Sequence, residues 1–268
     1  MKTLFHILLF SAILAAGARA APGPEPEDKR QRRAELTEKA FQGDVESMLL
    51  LARFYKMNQD YRGAAQWFRK AGERGNASAL LELAALARGG WDAPVDEELA
   101  RRCYLRLLEL GDNTAYRLLG EIYEDERGSL HDVTQAILYY QDGANNGDPA
   151  AMLALGKLFT RAAGGPPRHE LARHWLERAA QLENPEAMRH FALQLLYGVG
   201  GPEDQNQAWV WYRRASDKGD GMASLFLGDA LYEGRWLPQN KAVAKHYYEL
   251  AVKQGVTAAL IPLKERQF

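Results

Sequence analysis

The chain has a single cysteine, Cys103, in 268 residues. No intramolecular disulfide can form, so any core must hold by packing alone. An excess of charge of one sign is missing too. Lys and Arg number 34 against 35 Asp and Glu, for a net charge of −1. Nothing in that balance points to nucleic acid, which favours a strong basic excess or stripe. The chain also lacks a G-x-S-x-G elbow, a P-loop, a dinucleotide fingerprint and an H-E-x-x-H pair, which removes the readiest signatures of catalysis. What is present is 47% hydrophobic and 26% charged, the balance of a folded globular or repeat protein.

The long apolar run is confined to the N-terminus. Lys2 precedes "LFHILLFSAILAAG" (Leu4–Gly17), and "ARA" (Ala18–Arg19–Ala20) follows. A positive start, an apolar stretch and a small-x-small site predict a signal peptide over residues 1–20, cut before Ala21. The run is short for a bilayer, so no membrane span is expected after cleavage. Removing residues 1–20 takes away two basic residues and no acid, leaving a net charge of −3. No cysteine follows the apolar stretch to carry a lipid. Residues 21–28, "APGPEPED", are expected to form a disordered leash. Export predicts a periplasmic location, with secretion as the alternative.

Self-comparison supplies the architecture. Six segments each close near a glycine: Gly43–Gly75, Gly75–Gly111, Gly111–Gly147, Gly147–Glu183, Glu183–Gly219 and Gly219–Gly255. The first step is 32 residues and the other five are 36. Early in each unit stands a small residue (Ser47, Ala79, Ala115, Ala151, Ala187, Ala223). One helical turn later comes a large apolar one (Leu51, Leu83, Leu119, Leu155, Phe191, Leu227), followed directly by a small one (Ala52, Ala84, Gly120, Gly156, Ala192, Gly228). Small residues there allow close helix crossing. The second half of each unit has its own face. Ala64, Ala100, Ala136, Ala172, Ala208 and Ala244 are followed three residues later by Trp67, Cys103, Tyr139, Trp175, Trp211 and Tyr247. Next to these stand Phe68, Tyr104, Tyr140, Leu176, Tyr212 and Tyr248. Spacings of three and four mark a second helix.

Capping residues agree. Asp148–Pro149 and Asn184–Pro185 open first helices, while Asp132 and Asp204 resemble capping boxes opening second helices. Each unit is thus a helix–loop–helix hairpin that buries its faces only by stacking. The expected fold is an all-α, α/α superhelical solenoid. It has an N-terminal capping helix over 29–42, six repeats over 43–255, and a partial seventh repeat acting as a C-terminal cap over 256–268. Pro262 is expected to kink or shorten that last helix. The glycine-rich "LLYGVGGPEDQ" (Leu195–Gln205) occupies the inter-helix slot of its repeat, so Gly198 and Gly200 read as loop residues rather than a phosphate cradle.

Phrases such as "AMLALGKLF" with "LARHWLERAA", "AYRLLGEIY" with "QAILYYQDGANNG" and "ASLFLGDALYEG" with "AVAKHYYELAVKQG" resemble the SEL-one-like repeat family, a relative of the tetratricopeptide repeat. The resemblance covers about residues 43–260. It implies a right-handed superhelix of paired helices and a role as adaptor or scaffold. A cysteine-rich branch of that family, associated with β-lactams, carries paired cysteines that this chain lacks.

The sharper chemical possibilities are outweighed. Cys103 falls in the Trp/Tyr column and is expected to be a buried structural residue rather than a nucleophile. His169 and His174 lie five apart on different helix faces, and His190 is on the next unit. Neither a metal site nor a cofactor is implied. Glu121, Glu124, Asp125 and Glu126 read as a solvated helix end rather than a hydrolytic pair. Trp67, Trp175 and Trp211 are expected in the core. Trp236, in an inter-helix loop, is the tryptophan best placed for an exposed contact, although a loop plug is favoured.

By analogy with tetratricopeptide relatives, the first helices line the binding groove. The residues offset from their packed columns are Glu46, Leu49, Arg53 and Lys56; Leu81 and Arg88; Arg117, Glu121 and Glu124; Leu153, Lys157 and Thr160; Glu186, Arg189, Leu193 and Leu196; and Leu225, Asp229 and Tyr232. The expected function is a non-catalytic scaffold holding a segment of another exported or envelope protein, with Arg53, Arg117 and Arg189 meeting its anionic groups. The alternatives are a peptidoglycan- or polysaccharide-acting enzyme or its regulator, and a secreted host-interaction protein. A glycan contact is compatible with these but no motif supports it.

Overall fold

The computed structural model describes residues 27–268 apart from 92–93, 163–164 and 267. The expected signal peptide and residues 21–26 of the leash lie outside the described residues. Among the described residues the structure is all helix: fourteen α-helices and one 3₁₀ turn, with no strand. The contacts divide into two compact units, up to Asn76 and from Ala77.

The first unit holds α1 (Glu27–Phe41), α2 (Val45–Met57) and α3 (Tyr61–Glu73). Helix α1 begins two residues before the capping helix was expected to start, so it takes in the last two residues of the expected leash. The Glu27 carboxylate suits the positive end of a helix dipole, so the helix opens there instead of extending the leash. The short inner loop of this repeat is turned by Gln59 in the left-handed conformation, φ 63°.

The second unit holds the other five hairpins: α4 (Ala77–Gly89) with α5 (Glu97–Glu109), α6 (Thr114–Glu124) with α7 (Val133–Asn145), α8 (Pro149–Thr160) with α9 (His169–Gln181), α10 (Pro185–Tyr197) with α11 (Gln205–Asp217), and α12 (Gly221–Glu233) with α13 (Lys241–Lys253). A 3₁₀ turn (Thr257–Ala259) and the short α14 (Leu260–Glu265) follow. Helix α14 contains Pro262 and spans only six residues. Within this unit successive helices pack on one another, and the first helices of repeats three and four also touch directly.

The local chemistry explains the boundaries. Asp148 and Asn184 accept from the backbone N–H groups of Ala150 (2.8 Å) and Ala187 (2.9 Å). Asp132 and Asp204 do the same for Gln135 and Gln207. Second helices end at residues of positive φ: Gly75, Gly111, Gly147, Gly219 and Gly255. At the end of repeat four Glu183 takes that conformation (φ 63°), a strained choice for a residue with a Cβ.

The core is the set of repeat columns. Leu51, Leu119, Leu155 and Leu227 are fully buried, as are Phe68, Tyr140, Leu176 and Tyr248. Close crossing is real: a Cβ on Gly120 would stand 2.5 Å from the Tyr140 ring, and one on Gly156 2.5 Å from Leu176. The tryptophan column departs from expectation. Trp67 and Cys103 are buried, but Tyr139, Trp175, Trp211 and Tyr247 are only half-buried. Three of these indoles carry a cation from one turn on: Lys70 over Trp67 (4.2 Å), Arg178 over Trp175 (4.9 Å) and Arg214 over Trp211 (4.4 Å). A cation on the ring face completes a side chain that the neighbouring helix leaves partly open.

Candidate protein-binding face

The first helices bring most of the expected face together within the second unit, but not as free side chains. Arg88 lies 3.7 Å from Glu121, which also takes the Arg117 guanidinium. Arg117 reaches on to Asp148 at 3.4 Å. Glu124 accepts from the Tyr140 hydroxyl (2.6 Å) and from Arg161 (2.5 Å). Lys157 donates to Glu186 (3.0 Å), which also lies 3.5 Å from His190. Arg189 Nε meets both carboxylate oxygens of Asp220, at 2.9 and 3.1 Å. Ion pairs therefore cross from repeat two to three, three to four, four to five and five to six. The acidic cluster is not a purely solvated helix end: Glu121 and Glu124 are half-buried anchors of this network.

Titration follows from the surroundings. Burial raises the Tyr140 hydroxyl far above the ordinary tyrosine value, and its bond to Glu124 raises it further. Burial, with Arg189 beside it, lowers His190 below the ordinary histidine value. Burial would raise Glu186, but Lys157, His190 and Arg189 outweigh it and hold the carboxyl low.

A cleft of about 500 Å³ opens in this face, lined by Arg88, Glu121, Glu124, Asp125, Arg127 and Arg161. Farther along, the face turns apolar and aromatic. Leu193 and Tyr197 are 40% and 57% exposed, while Leu225 and Tyr232 are half-buried. Asp229 accepts from the Tyr248 hydroxyl (2.8 Å) and from Arg266 (2.9 Å).

Three expected face residues are corrected. Leu49, Leu153 and Leu196 are buried in the core. A first helix in a solenoid touches its hairpin partner and helices of adjoining repeats, so its apolar stripe is wider than one packed face. Thr160 stays exposed, but its hydroxyl is engaged within the chain: it donates to the Gly156 carbonyl (2.8 Å) and accepts from Gln194 (3.3 Å). Gln194 was missed by sequence reasoning. It is buried, and its Oε1 has no hydrogen-bond partner among the described residues. Its amide stands at a position where helix periodicity alone signals nothing unusual. Arg161 and Arg266 were missed as well, because both lie at or beyond a helix end, outside the repeating columns.

In the first unit Glu46 and Arg53 are exposed, and Lys56 is half-buried. There an apolar cleft of about 560 Å³ is floored by Leu36, Leu50, Phe54 and Met57 and edged by Arg32, Arg33 and Arg53.

The remaining candidates take structural places. Trp236 stacks on Phe226 (5.5 Å, 12°), which stacks on Tyr212 (4.1 Å, 13°), so it plugs its loop. Among the described residues no group of three or more His, Cys, Asp or Glu could hold a metal ion, and no helix is long and apolar enough to cross a membrane.

Six consecutive segments match the Sel1 repeat: residues 45–76, 77–112, 114–148, 149–184, 185–220 and 221–256. The chain belongs to the Sel1 repeat family. Sel1 repeats are protein-interaction scaffolds, and the matches bring in no enzymatic family. The chain is similar to the chitin synthase regulator SKT5 of Saccharomyces cerevisiae, 30% identical over 58% of this chain and 23% of that one. It is also similar to an uncharacterised protein of Neisseria meningitidis, 26% identical over 82% of this chain and 46% of that one. The chain thus spans between about a quarter and a half of those curated relatives. Among solved structures, a Sel1 repeat protein of Oxalobacter formigenes superposes with a TM-score of 0.64 at 25% identity, covering 80% of this chain and 85% of that one. A protective antigen of uropathogenic Escherichia coli superposes with a TM-score of 0.64 at 19% identity, over 88% and 60% of the two chains, and shows the fold alone.

Proposed function

We propose that this Sel1 repeat chain is an exported, non-catalytic scaffold. It holds a segment of another envelope protein along the first-helix face of its second unit. One observation carries the reading: the ion pairs that cross every repeat boundary from two to six fix that face before any partner arrives. A rigid face presents many weak contacts in register without an ordering cost on binding. Arg117 and Arg189 support the face rather than meet the partner: their side chains are only 30% and 24% exposed where they pair with Asp148 and Asp220. The contact residues are those with exposed heads beside the charged cleft, Lys157 and Arg161, with side chains 47% and 50% exposed, and the apolar Leu193 beyond them.

Export rests on Lys2, the Leu4–Gly17 stretch and Ala18–Arg19–Ala20; the mature protein is expected to begin at Ala21. A second reading draws on the relatives named as chitin synthase regulators: the partner is an enzyme that builds an envelope polysaccharide, and this chain regulates it by docking. Affinity capture from the native compartment tests both. A defined protein partner is expected on the unmodified chain and its loss on Lys157→Glu/Arg161→Glu. Equal recovery on the variant rejects this face; recovery of glycan without protein rejects the scaffold.

A further inference from the structure

The first-helix face of the last repeat is already occupied, by this chain itself. Just past α14 the backbone is extended at Arg266 (φ −92°, ψ 141°). Its guanidinium donates to Asp229 (2.9 Å) and to the Tyr248 hydroxyl, and lies 3.5 Å from Glu233. The same group sits 4.6 Å from the centroid of the Tyr232 ring. Two residues on, Phe268 meets Tyr232 and Tyr248 edge to face, with centroids 5.6 and 5.8 Å apart.

We propose that Asp229, Tyr232, Glu233 and Tyr248 form a peptide-recognition site closed in cis. Its external ligand is an extended segment of another protein bearing a basic residue and, two positions later, an aromatic one. The Arg266 and Phe268 side chains stand in for that ligand and are displaced when the partner docks. This rests on the first-helix face being the docking surface, to which Asp229 and Tyr232 belong.

The chemistry fits the ligand. Two carboxylates and a phenol oxygen converge on a single guanidinium, an arrangement selective for a cation. Tyr232 offers that cation a ring face, and the two tyrosines offer ring edges to a following aromatic group. In an extended ligand residues i and i+2 point to the same side, so a basic residue followed two positions later by an aromatic one can meet the contacts that Arg266 and Phe268 make here.

Repeat three provides the contrast. There Tyr140 donates to Glu124, which takes Arg161 from the next repeat. In both places the arginine follows its acid by 37 residues. Arg161 caps the end of α8, a helix with seven buried residues. Arg266 is carried by α14, which has no buried residue. The first triad is built into the stack; the second is held by a light tether, from the low-stability end of the fold.

The probe is a fluorescein-labelled peptide with the sequence of residues 260–268, titrated by anisotropy. The proteins are the full-length chain and its Arg266→Ala/Phe268→Ala variant. A short tether gives the resident segment an effective concentration on the order of millimolar. The double variant is therefore expected to bind the probe about tenfold or more tighter than the unmodified chain. A probe with alanine for its arginine is expected to fail on both, and Asp229→Asn added to the double variant to abolish binding. Equal affinity for the two proteins, or indifference to Asp229→Asn, overturns the proposal. So does a dimer of the unmodified chain that the double substitution dissociates, since the occupant would then be a second copy. If the double variant fails to fold by circular dichroism, Phe268→Ala alone carries the test, with a smaller expected gain. Partner capture judges the scaffold separately. Capture without probe binding leaves the scaffold and rejects the latch; probe binding without capture does the reverse.

Discussion

Arg117 and Arg189 occupy one column of the repeat, two residues after Ala115 and Ala187, where Leu81, Leu153 and Leu225 stand in the other repeats of the second unit. Each arginine reaches the carboxylate that caps the next repeat's first helix, Asp148 or Asp220. Asp220 has two roles: it accepts from the N–H of Ala223 (2.8 Å) and holds the Arg189 guanidinium. After Leu153 the corresponding cap is the uncharged Asn184, and after Leu225 the position is Val256. Side-chain exposure of 24% for Arg189 and 8% for Asp220 separates this contact from a solvent-screened surface pair. Arg189→Leu and Asp220→Asn are each expected to destabilise the chain by about 1–2 kcal/mol, because each leaves a half-buried charge without its partner. The double variant recreates the Leu153/Asn184 pairing of repeat four. It should therefore cost less than the sum of the singles, with a coupling of about 1 kcal/mol in a urea-unfolding cycle. Strict additivity would show that the two groups do not interact.

The loop from Gly198 to Asp204 shows how an element's ends are fixed. Gly198 closes α10 in the left-handed conformation (φ 64°), its N–H donating to Gln194, and Asp204 opens α11. Gly200 (φ 72°) passes so close to the start of α9 that a Cβ would stand 2.2 Å from the His169 carbonyl oxygen. At Gly201 the obstacle is the Arg173 side chain, 2.9 Å away. Backbone cannot yield and a guanidinium can. Gly200→Ala is expected to cost about 2–4 kcal/mol, by clash and by strain. Gly201→Ala should stay within about 0.5 kcal/mol. Thermal unfolding of the two variants decides, and similar melting points would mean that the loop does not bear on α9. The glycine-rich loop was legible as a repeat hinge because its spacing recurs in the other repeats. The contact with His169 was not, since it joins residues about 30 positions apart in sequence that carry no pattern linking them. Helix faces divide in the same way. Caps and packed columns follow from local periodicity, whereas the burial of Leu196 and Gln194 depends on neighbours in other repeats.

Across the molecule the charges nearly cancel, with a net of −1 for the full chain and −3 once residues 1–20 are removed, so the overall field that steers a partner is weak. What a partner meets is the local pattern. Which residues share a first helix was legible from the repeat phase. Which of its charges are free was not, because an arginine's partner lies about one repeat away and depends on that repeat's cap. Within the second unit the face runs from the ionic cleft around Glu121, Glu124 and Arg161 to the exposed Leu193 and Tyr197. An elongated partner would therefore make a salt-sensitive contact at one end and a salt-insensitive one at the other. Raising ionic strength from about 0.1 to about 1 M shortens the screening length from about 10 to about 3 Å, while leaving apolar burial intact or strengthened. Lys157→Glu/Arg161→Glu is expected to weaken partner binding by about 1–2 kcal/mol at the lower salt and to lose most of that penalty at the higher. Leu193→Ser/Tyr197→Ser is expected to cost a similar amount at both, about 1–2 kcal/mol. Titration calorimetry with the captured partner, on variants whose unfolding matches the parent, reads the two slopes. If both penalties shrink together with salt, the apolar end makes no contact, and the partner's footprint is confined to the cleft.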